Sequence, residues 1–359
     1  MANLKIPLLD IDFMLTEEQI SQIREHLDRA QNPLFFFDND SDGLCAFLLL
    51  QRFSGKGKGV PVRSFPDLNS DYIRKINELN ADYVFILDKP IVSKDFLDEV
   101  FKLNIPIVWI DHHMINRKEI PEFVNYYNPI FNPDEKNEPT TFLCYQVSQK
   151  KDDLWIAVIG SISDRFCPDF YKTFAKEYPD LSIDSNDAFE IFYKSQAGKI
   201  VKMFSFALKD RTTNVINMLK FLVKAKSPYD VLEENQQNYT MYKRFNQINV
   251  KYQKFLERAR KVGGKSGKFL FFKYSGDLSI SSDLSNELTY LFPDKVVVVC
   301  YVSGLKANIS VRGKNIRGSV LNVIGELENA TGGGHEDAVG AQVKTSDIDL
   351  FREKLERLI

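Results

Sequence analysis

Three carboxylates alternate along Asp38-Asn39-Asp40-Ser41-Asp42-Gly43. That spacing sets like charges against one another unless a cation or open water separates them. An EF-hand calcium loop needs a Glu at its twelfth position, which counted from Asp38 is Leu49, so the segment reads as another kind of cation site or as a solvated turn. Asp111-His112-His113 places two of the chain's 4 histidines side by side behind an acid. Imidazole nitrogen among several carboxylates suits Mn²⁺, Mg²⁺ or Zn²⁺, and the excess of oxygen favours the harder ions. Asp88 and Asp164 would complete such a cage. Two divalent cations roughly 3.5–4 Å apart and bridged by a carboxylate would activate a water and steady the leaving oxygen of a phosphoester. A third segment, Thr331-Gly332-Gly333-Gly334-His335, lets a ligand approach backbone amides closely and offers a histidine to a phosphate. Upstream of it, Lys306, Arg312, Lys314 and Arg317 lie in a stretch without an acid.

These groups need a scaffold that gathers them. Leu34-Phe35-Phe36-Phe37 runs into Asp38, Tyr83 to Leu87 into Asp88, and Ile105 to Ile110 into Asp111. Each reads as a buried strand ending in acid, with polar-faced helices between them near Ser70–Leu79 and Ser93–Leu103. The apolar run Trp155–Ser161 leads to Asp164 in the same way and is expected to supply a fourth strand end. Alternating strands and helices imply a parallel sheet covered on both faces, with its ligand crevice outside the C-terminal strand ends. Before the first strand, Thr16 to Asp28 reads as an amphipathic helix with a Thr cap.

Farther along, Ser227 to Lys261 reads as long polar helices bridging two domains. Its aromatic residues Tyr239, Tyr242, Phe245, Tyr252 and Phe255 either stack on bases or pack between helices. Gly263 to Lys268 is a flexible break, since it lacks the spacing of a phosphate-binding P-loop. Phe269–Lys273 and Val296–Val302 then read as strands and Leu284–Leu291 as a helix. The expected architecture is α/β in two lobes: a parallel-sheet catalytic domain over 1–195, a helical connector over 196–264 and a smaller α/β domain over 265–359.

Composition narrows the class. The 359 residues carry 47 Lys and Arg against 49 Asp and Glu, a net charge of −2, which excludes a basic nucleic-acid wrapper but not a local basic groove. Cys45, Cys144, Cys167 and Cys300 share no close spacing, so reduced thiols are expected and not a disulfide framework or structural zinc site. No long apolar run suggests a membrane span, and the protein is expected to be cytoplasmic.

Taken together, Asp38-x-Asp40-x-Asp42-Gly43, Asp88, Asp111-His112-His113 and Asp164 resemble, in order, the four motifs of the DHH phosphoesterases. Gly332-Gly333-Gly334-His335 resembles the signature of the DHHA1 domain that follows in many members. The resemblance implies an active site in the cleft between lobes with two Mn²⁺ or Mg²⁺ ions. It implies Asp38, Asp40, Asp42, Asp88, His112 and Asp164 as metal ligands, with Asp111 orienting His112 and His113 contacting the scissile phosphate. Arg312, Lys314, Gly333, Gly334 and His335 are implied as substrate contacts. One departure is Asp88-Lys89-Pro90, where the family usually continues to a small residue and Gly; Lys89 either pairs with a substrate phosphate or braces a metal-site carboxylate. The sequence reaches Ile359 soon after the DHHA1-like segment, so the oligonucleotide-binding domain of bacterial RecJ nucleases is expected to be missing.

The family includes RecJ-type exonucleases, nanoRNases, adenosine bisphosphate phosphatases and cyclic dinucleotide phosphodiesterases. Three acids in the first motif resemble RecJ-like members, including archaeal ones. The expected activity is therefore a metal-dependent exonuclease on single-stranded RNA or DNA that releases mononucleotides. A nanoRNase acting on short oligonucleotides, an adenosine bisphosphate phosphatase or a cyclic dinucleotide phosphodiesterase is the alternative enzyme, and a non-catalytic replication or repair subunit that binds partner proteins is the alternative role.

Overall fold

The run Leu34-Phe35-Phe36-Phe37 is apolar toward both faces, as a strand covered on both sides must be. In the computed structural model, which describes residues 14–63 and 67–359, it forms β1 (Pro33–Asp38). β1 sits between β2 (Lys58–Val62) and β3 (Tyr83–Leu87), followed by β4 (Ile107–Ile110) and β5 (Val124–Tyr127). The order β2-β1-β3-β4-β5 is parallel throughout. Phe35 stacks on Phe85 at 4.9 Å between ring centroids and Phe37 on Phe47 at 5.1 Å, which ties β1 to its neighbouring strand and to the helix Ser41–Ser54. Leu34, Phe36, Val84, Ile86, Phe96, Ile107 and Trp109 fill the opposite side of the sheet.

The chain divides into two compact units, Met1–Phe245 and Asn246–Ile359. In the second, β6 (Phe269–Ser275) pairs in parallel with β7 (Val296–Ser303). β8 (Lys306–Arg312), β9 (Thr331–His335) and β10 (Ala338–Lys344) complete a mixed sheet of order β6-β7-β8-β10-β9. Its core is Val298, Cys300, Ile309, Val311, Val320, Val339 and Phe351. The expected two-sheet α/β architecture is therefore present.

The structure departs from the sequence reading at several elements. Trp155–Ser161 is not a strand but most of the helix Leu154–Ser163, buried on nearly every side, and a short apolar run cannot separate those two cases by periodicity. The glycine-rich segment forms the edge strand β9, exposed along its length. β2 and β5 have no counterpart in the sequence reading, because Lys58-Gly59-Val60-Pro61-Val62 and Val124-Asn125-Tyr126-Tyr127 lack a continuous apolar run. On the helix Tyr239–Gly263, Tyr242, Phe245 and Tyr252 are buried and only Tyr239 is half exposed, so packing is what most of these rings do. Cys45, Cys144 and Cys300 are buried, Cys167 is partly so, and none is bridged. Among the described residues, no helix is long and apolar enough to cross a membrane.

One glycine positions the site directly. A methyl group at Gly43 would lie 2.5 Å from the carbonyl oxygen and 2.7 Å from the nitrogen of Asp38. Gly43→Ala should force the helix Ser41–Ser54 off the end of β1 and cost about 1–3 kcal/mol. A urea midpoint in EDTA equal to that of the wild type would show that this close approach is not required.

Candidate metal centre

Three acids stand where three adjacent parallel strands end. Asp38 is the last residue of β1, Asp88 follows β3 and Asp111 follows β4. Asp88 has φ 58°, the left-handed region, which Asp tolerates better than most residues and which turns the chain sharply out of the strand. The turn after Asp38 is closed by Asp40, the N-cap of the helix Ser41–Ser54, whose carboxylate accepts from the Gly43 N–H at 3.0 Å. Asp164 caps the C-terminal end of the helix Leu154–Ser163 instead of ending a strand, yet it arrives at the same place.

Ligand atoms within 4.8 Å of one another form three groups: Asp88, His112 and His113; Asp42, His112 and Asp164; and Asp38, Asp40 and Asp88. His112 Nε2 lies 3.4 Å from Asp88 Oδ1 and 3.6 Å from Asp164 Oδ2. Asp88 belongs both to the histidine pair and to the acid trio. It is therefore the carboxylate common to those two groups. All six expected metal ligands are brought together.

Asp111 is placed otherwise than expected. Its Oδ1 contacts Nδ1 of His113 at 2.8 Å, so it orients His113 and not His112. Asp111 Oδ2 and His112 Nδ1 are buried without a hydrogen-bond partner. The reason is the chain's direction after β4: the carboxylate of Asp111 meets the ring two residues on, while His112 turns toward Asp88.

Asp42 is held by residues that the sequence reading missed. Its two oxygens accept from the backbone N–H groups of Thr140 at 2.9 Å and Thr141 at 2.8 Å, at the start of the helix Thr140–Ser148. Such a helix end attracts a carboxylate through its exposed N–H groups and its dipole. The Thr141 hydroxyl donates to the Asp42 carbonyl at 2.8 Å, and that of Thr140 to Asp88 Oδ1 at 3.2 Å. Asn128 donates to the His113 carbonyl at 2.8 Å. Pro139-Thr140-Thr141 ahead of an apolar run is a helix-start signal, but nothing in it says which acid that start receives. Thr140→Val should remove the donor from Asp88 and weaken Mn²⁺ binding by about tenfold, as loss of such a supporting contact does elsewhere. Calorimetry reads this directly, and unchanged affinity would deny Thr140 that role.

Burial raises the Asp42 carboxyl to about 6 although His112 opposes the shift, and it raises Asp88 well above the usual range, with the charges of Asp42 and Asp40 adding to it. Asp40 is pushed up to about 8 by desolvation and then by the charges of Asp38 and Asp42. Its side chain reaches solvent. For His112, burial acts downward, but the Asp88 hydrogen bond and the Asp164, Asp88 and Asp42 charges outweigh it and hold the imidazole well above its ordinary value. Carboxylates this crowded retain protons until a cation replaces them. Oxygen-rich donors, one imidazole nitrogen and orphaned polar atoms together fit Mn²⁺ or Mg²⁺.

In the second unit, Arg312 at the end of β8 donates to Asn286 Oδ1 at 2.7 Å and to Ser282 Oγ at 3.1 Å. Arg312 and His335 both stand opposite Ala338 in the sheet, so they share one row and one face with a small residue between them. Lys314 and Gly333 are exposed. Gly334 has φ 144°, and a methyl group there would lie 2.2 Å from the Ala338 carbonyl oxygen, so this glycine serves the pairing of β9 with β10.

The sequence pattern of the DHH family's N-terminal domain matches residues 34–160. No curated protein matches the chain significantly in sequence. Among solved structures, exonuclease RecJ bound to manganese superposes with a TM-score of 0.66 at 16% identity, over 98% of this chain and 96% of that one. RecJ from Thermus thermophilus in complex with Mn²⁺ gives 0.67 at 16% identity, over 98% of this chain and 55% of that one, so the present chain spans about half its length. That protein has also been solved with Mg²⁺. The DHH domain of a member of a family of ribosomal proteins gives 0.68 at 15% identity, over 97% of this chain and 93% of that one. At such identities the likeness is one of fold. Residues 34–160, with β1, β3, β4 and their acids, accordingly match the pattern of the DHH family's N-terminal domain, and the chain has the fold of RecJ.

Proposed function

We propose that this protein is a metal-dependent phosphodiesterase that shortens single-stranded RNA or DNA from one end and releases mononucleotides. The observation that carries the reading is the position of Asp88, shared between a histidine group and an acid trio at the C-terminal edge of a parallel sheet. The fold likeness to exonuclease RecJ bound to manganese supports it. Asp38, Asp40, Asp42, Asp88, His112 and Asp164 would hold two Mn²⁺ or Mg²⁺ ions, which supply Lewis acidity and an activated water for attack on phosphorus. Asp111 fixes the His113 ring through Nδ1, and His113 would contact the scissile phosphate. The helix Thr140–Ser148 keeps Asp42 from swinging away. Arg312 and His335, with Lys314 and Gly333-Gly334 beside them, would bind the backbone phosphates of the substrate.

The test is a digestion in Mn²⁺ of 5′-labelled and 3′-labelled 24-mers and 3-mers, as RNA and as single-stranded DNA. Stepwise shortening of the 24-mers is expected, and the end that loses label gives the polarity. Cleavage confined to the 3-mers would instead assign a nanoRNase. No cleavage by metal-loaded protein would turn attention to a binding role in replication or repair. Arg312→Gln should raise KM about tenfold, as losing one charge-assisted phosphate contact does, with Mn²⁺ affinity unchanged; an unaltered KM removes Arg312 from the substrate site.

A further inference from the structure

Lys89 follows Asp88 and is 1% exposed, a burial that Lys almost never accepts without a partner. Its Nζ donates to Asp38 Oδ1 at 2.9 Å and to the Arg63 carbonyl at 3.4 Å. The Trp109 indole N–H donates to the Lys89 carbonyl at 3.0 Å, which fixes the residue's backbone from the neighbouring strand. Asp38 also belongs to the trio with Asp40 and Asp88. A divalent ion held by that trio and the ammonium would share one carboxylate. They would therefore repel one another across a few ångströms of partly buried space, where such a term is large. On the His112 side, Asp42, Asp88 and Asp164 face the imidazole.

Building on the metal reading above, we propose that Lys89 is a tethered cation of the centre. It holds the Asp38 carboxylate in place in the metal-free protein, and it weakens the ion taken by Asp38, Asp40 and Asp88 relative to the ion on the His112 side. The two metal positions are then unequal by construction, and the weaker one responds to the free cation concentration.

The experiment is a calorimetric Mn²⁺ titration of the full chain, with bound ions counted by mass spectrometry, on wild type, Lys89→Met and Lys89→Arg. Wild type should bind in two steps of unequal affinity. Lys89→Met should tighten the weaker step by about tenfold or more and leave the tighter one nearly unchanged, whereas Lys89→Arg should keep the weak step. In EDTA, Lys89→Met should melt below wild type, because Asp38 then faces Asp40 and Asp88 without its counter-ion. Rising Mn²⁺ should close that gap. Two equal steps in wild type, or an unchanged weak step in Lys89→Met, would overturn the proposal and leave the metal centre standing. No Mn²⁺ bound by wild type would remove both. Should Lys89→Met fail to fold, the inequality of the wild-type steps and the Lys89→Arg titration still decide the matter.

Discussion

Asp88→Asn should abolish Mn²⁺-dependent hydrolysis, by about a thousandfold or more, while the protein melts in EDTA no lower than wild type. The loss is large because Asp88 is the carboxylate that joins the histidine group to the acid trio. Removing its charge damages both cation positions at once, and a thousandfold corresponds to about 4 kcal/mol of transition-state stabilisation. Asparagine is the right replacement because Asp88 has φ 58°, a conformation that Asn accepts and that alanine or a β-branched residue resists. Stability should hold because burial and the neighbouring acids already disfavour the charged form of Asp88. A neutral amide relieves that crowding and can still accept from Thr140 Oγ1. Two measurements decide it: initial rates on a labelled single strand in Mn²⁺, and a thermal melt in EDTA. Activity within tenfold of wild type would sink the shared-ligand assignment, whereas a sharply lower melt would mean that Asp88 is chiefly structural.

The acids of this centre were legible because their chemistry is local in sequence. Three carboxylates at alternate positions together with an Asp-His-His run suit a cation whatever the surrounding fold, although the first segment alone also read as a solvated turn. The strands beneath Asp38, Asp88 and Asp111 were legible because a parallel strand covered on both faces must be apolar without interruption. That same rule misled at Trp155–Ser161, since a helix wrapped on all sides obeys it too; Asp164 was found for a reason that turned out to be wrong. Thr140, Thr141 and Lys89 mark the other limit. The helix start that receives Asp42 lies about a hundred positions along the chain, and no local spacing predicts that meeting. Lys89 was ambiguous between a substrate phosphate and a carboxylate, because both attract an ammonium; only its burial against Asp38 separates them. The glycines of β9 were read for ligand approach, but Gly334 is needed by the neighbouring strand itself.

Stabilisation by Mn²⁺ should grow between about pH 5.5 and pH 8. Asp42 is raised to about 6 and Asp88 well above its usual range, so the folded, metal-free protein retains protons there that the unfolded chain releases near pH 4. By linkage, the stability these protons contribute is complete below about pH 4 and is lost as pH rises through about 6 for Asp42 and higher for Asp88. His112, also raised, contributes in the same sense: its share is present below its ordinary value and disappears as pH climbs through the higher folded value. All three groups therefore weaken the metal-free protein as pH rises. A bound cation requires the deprotonated carboxylates, and its affinity rises until their protons have gone. At pH 8, Mn²⁺ at a hundred times its Kd should add about 2.7 kcal/mol, a Tm increase of roughly 5–10 °C. The same concentration at pH 5.5 should give less than half of that. Paired melts with and without Mn²⁺ at the two pH values are sufficient. An equal shift at both would mean that these carboxyl groups are already ionised in the metal-free protein, and that a fixed positive charge relieves their crowding, with Lys89 against Asp38 as the group to substitute first.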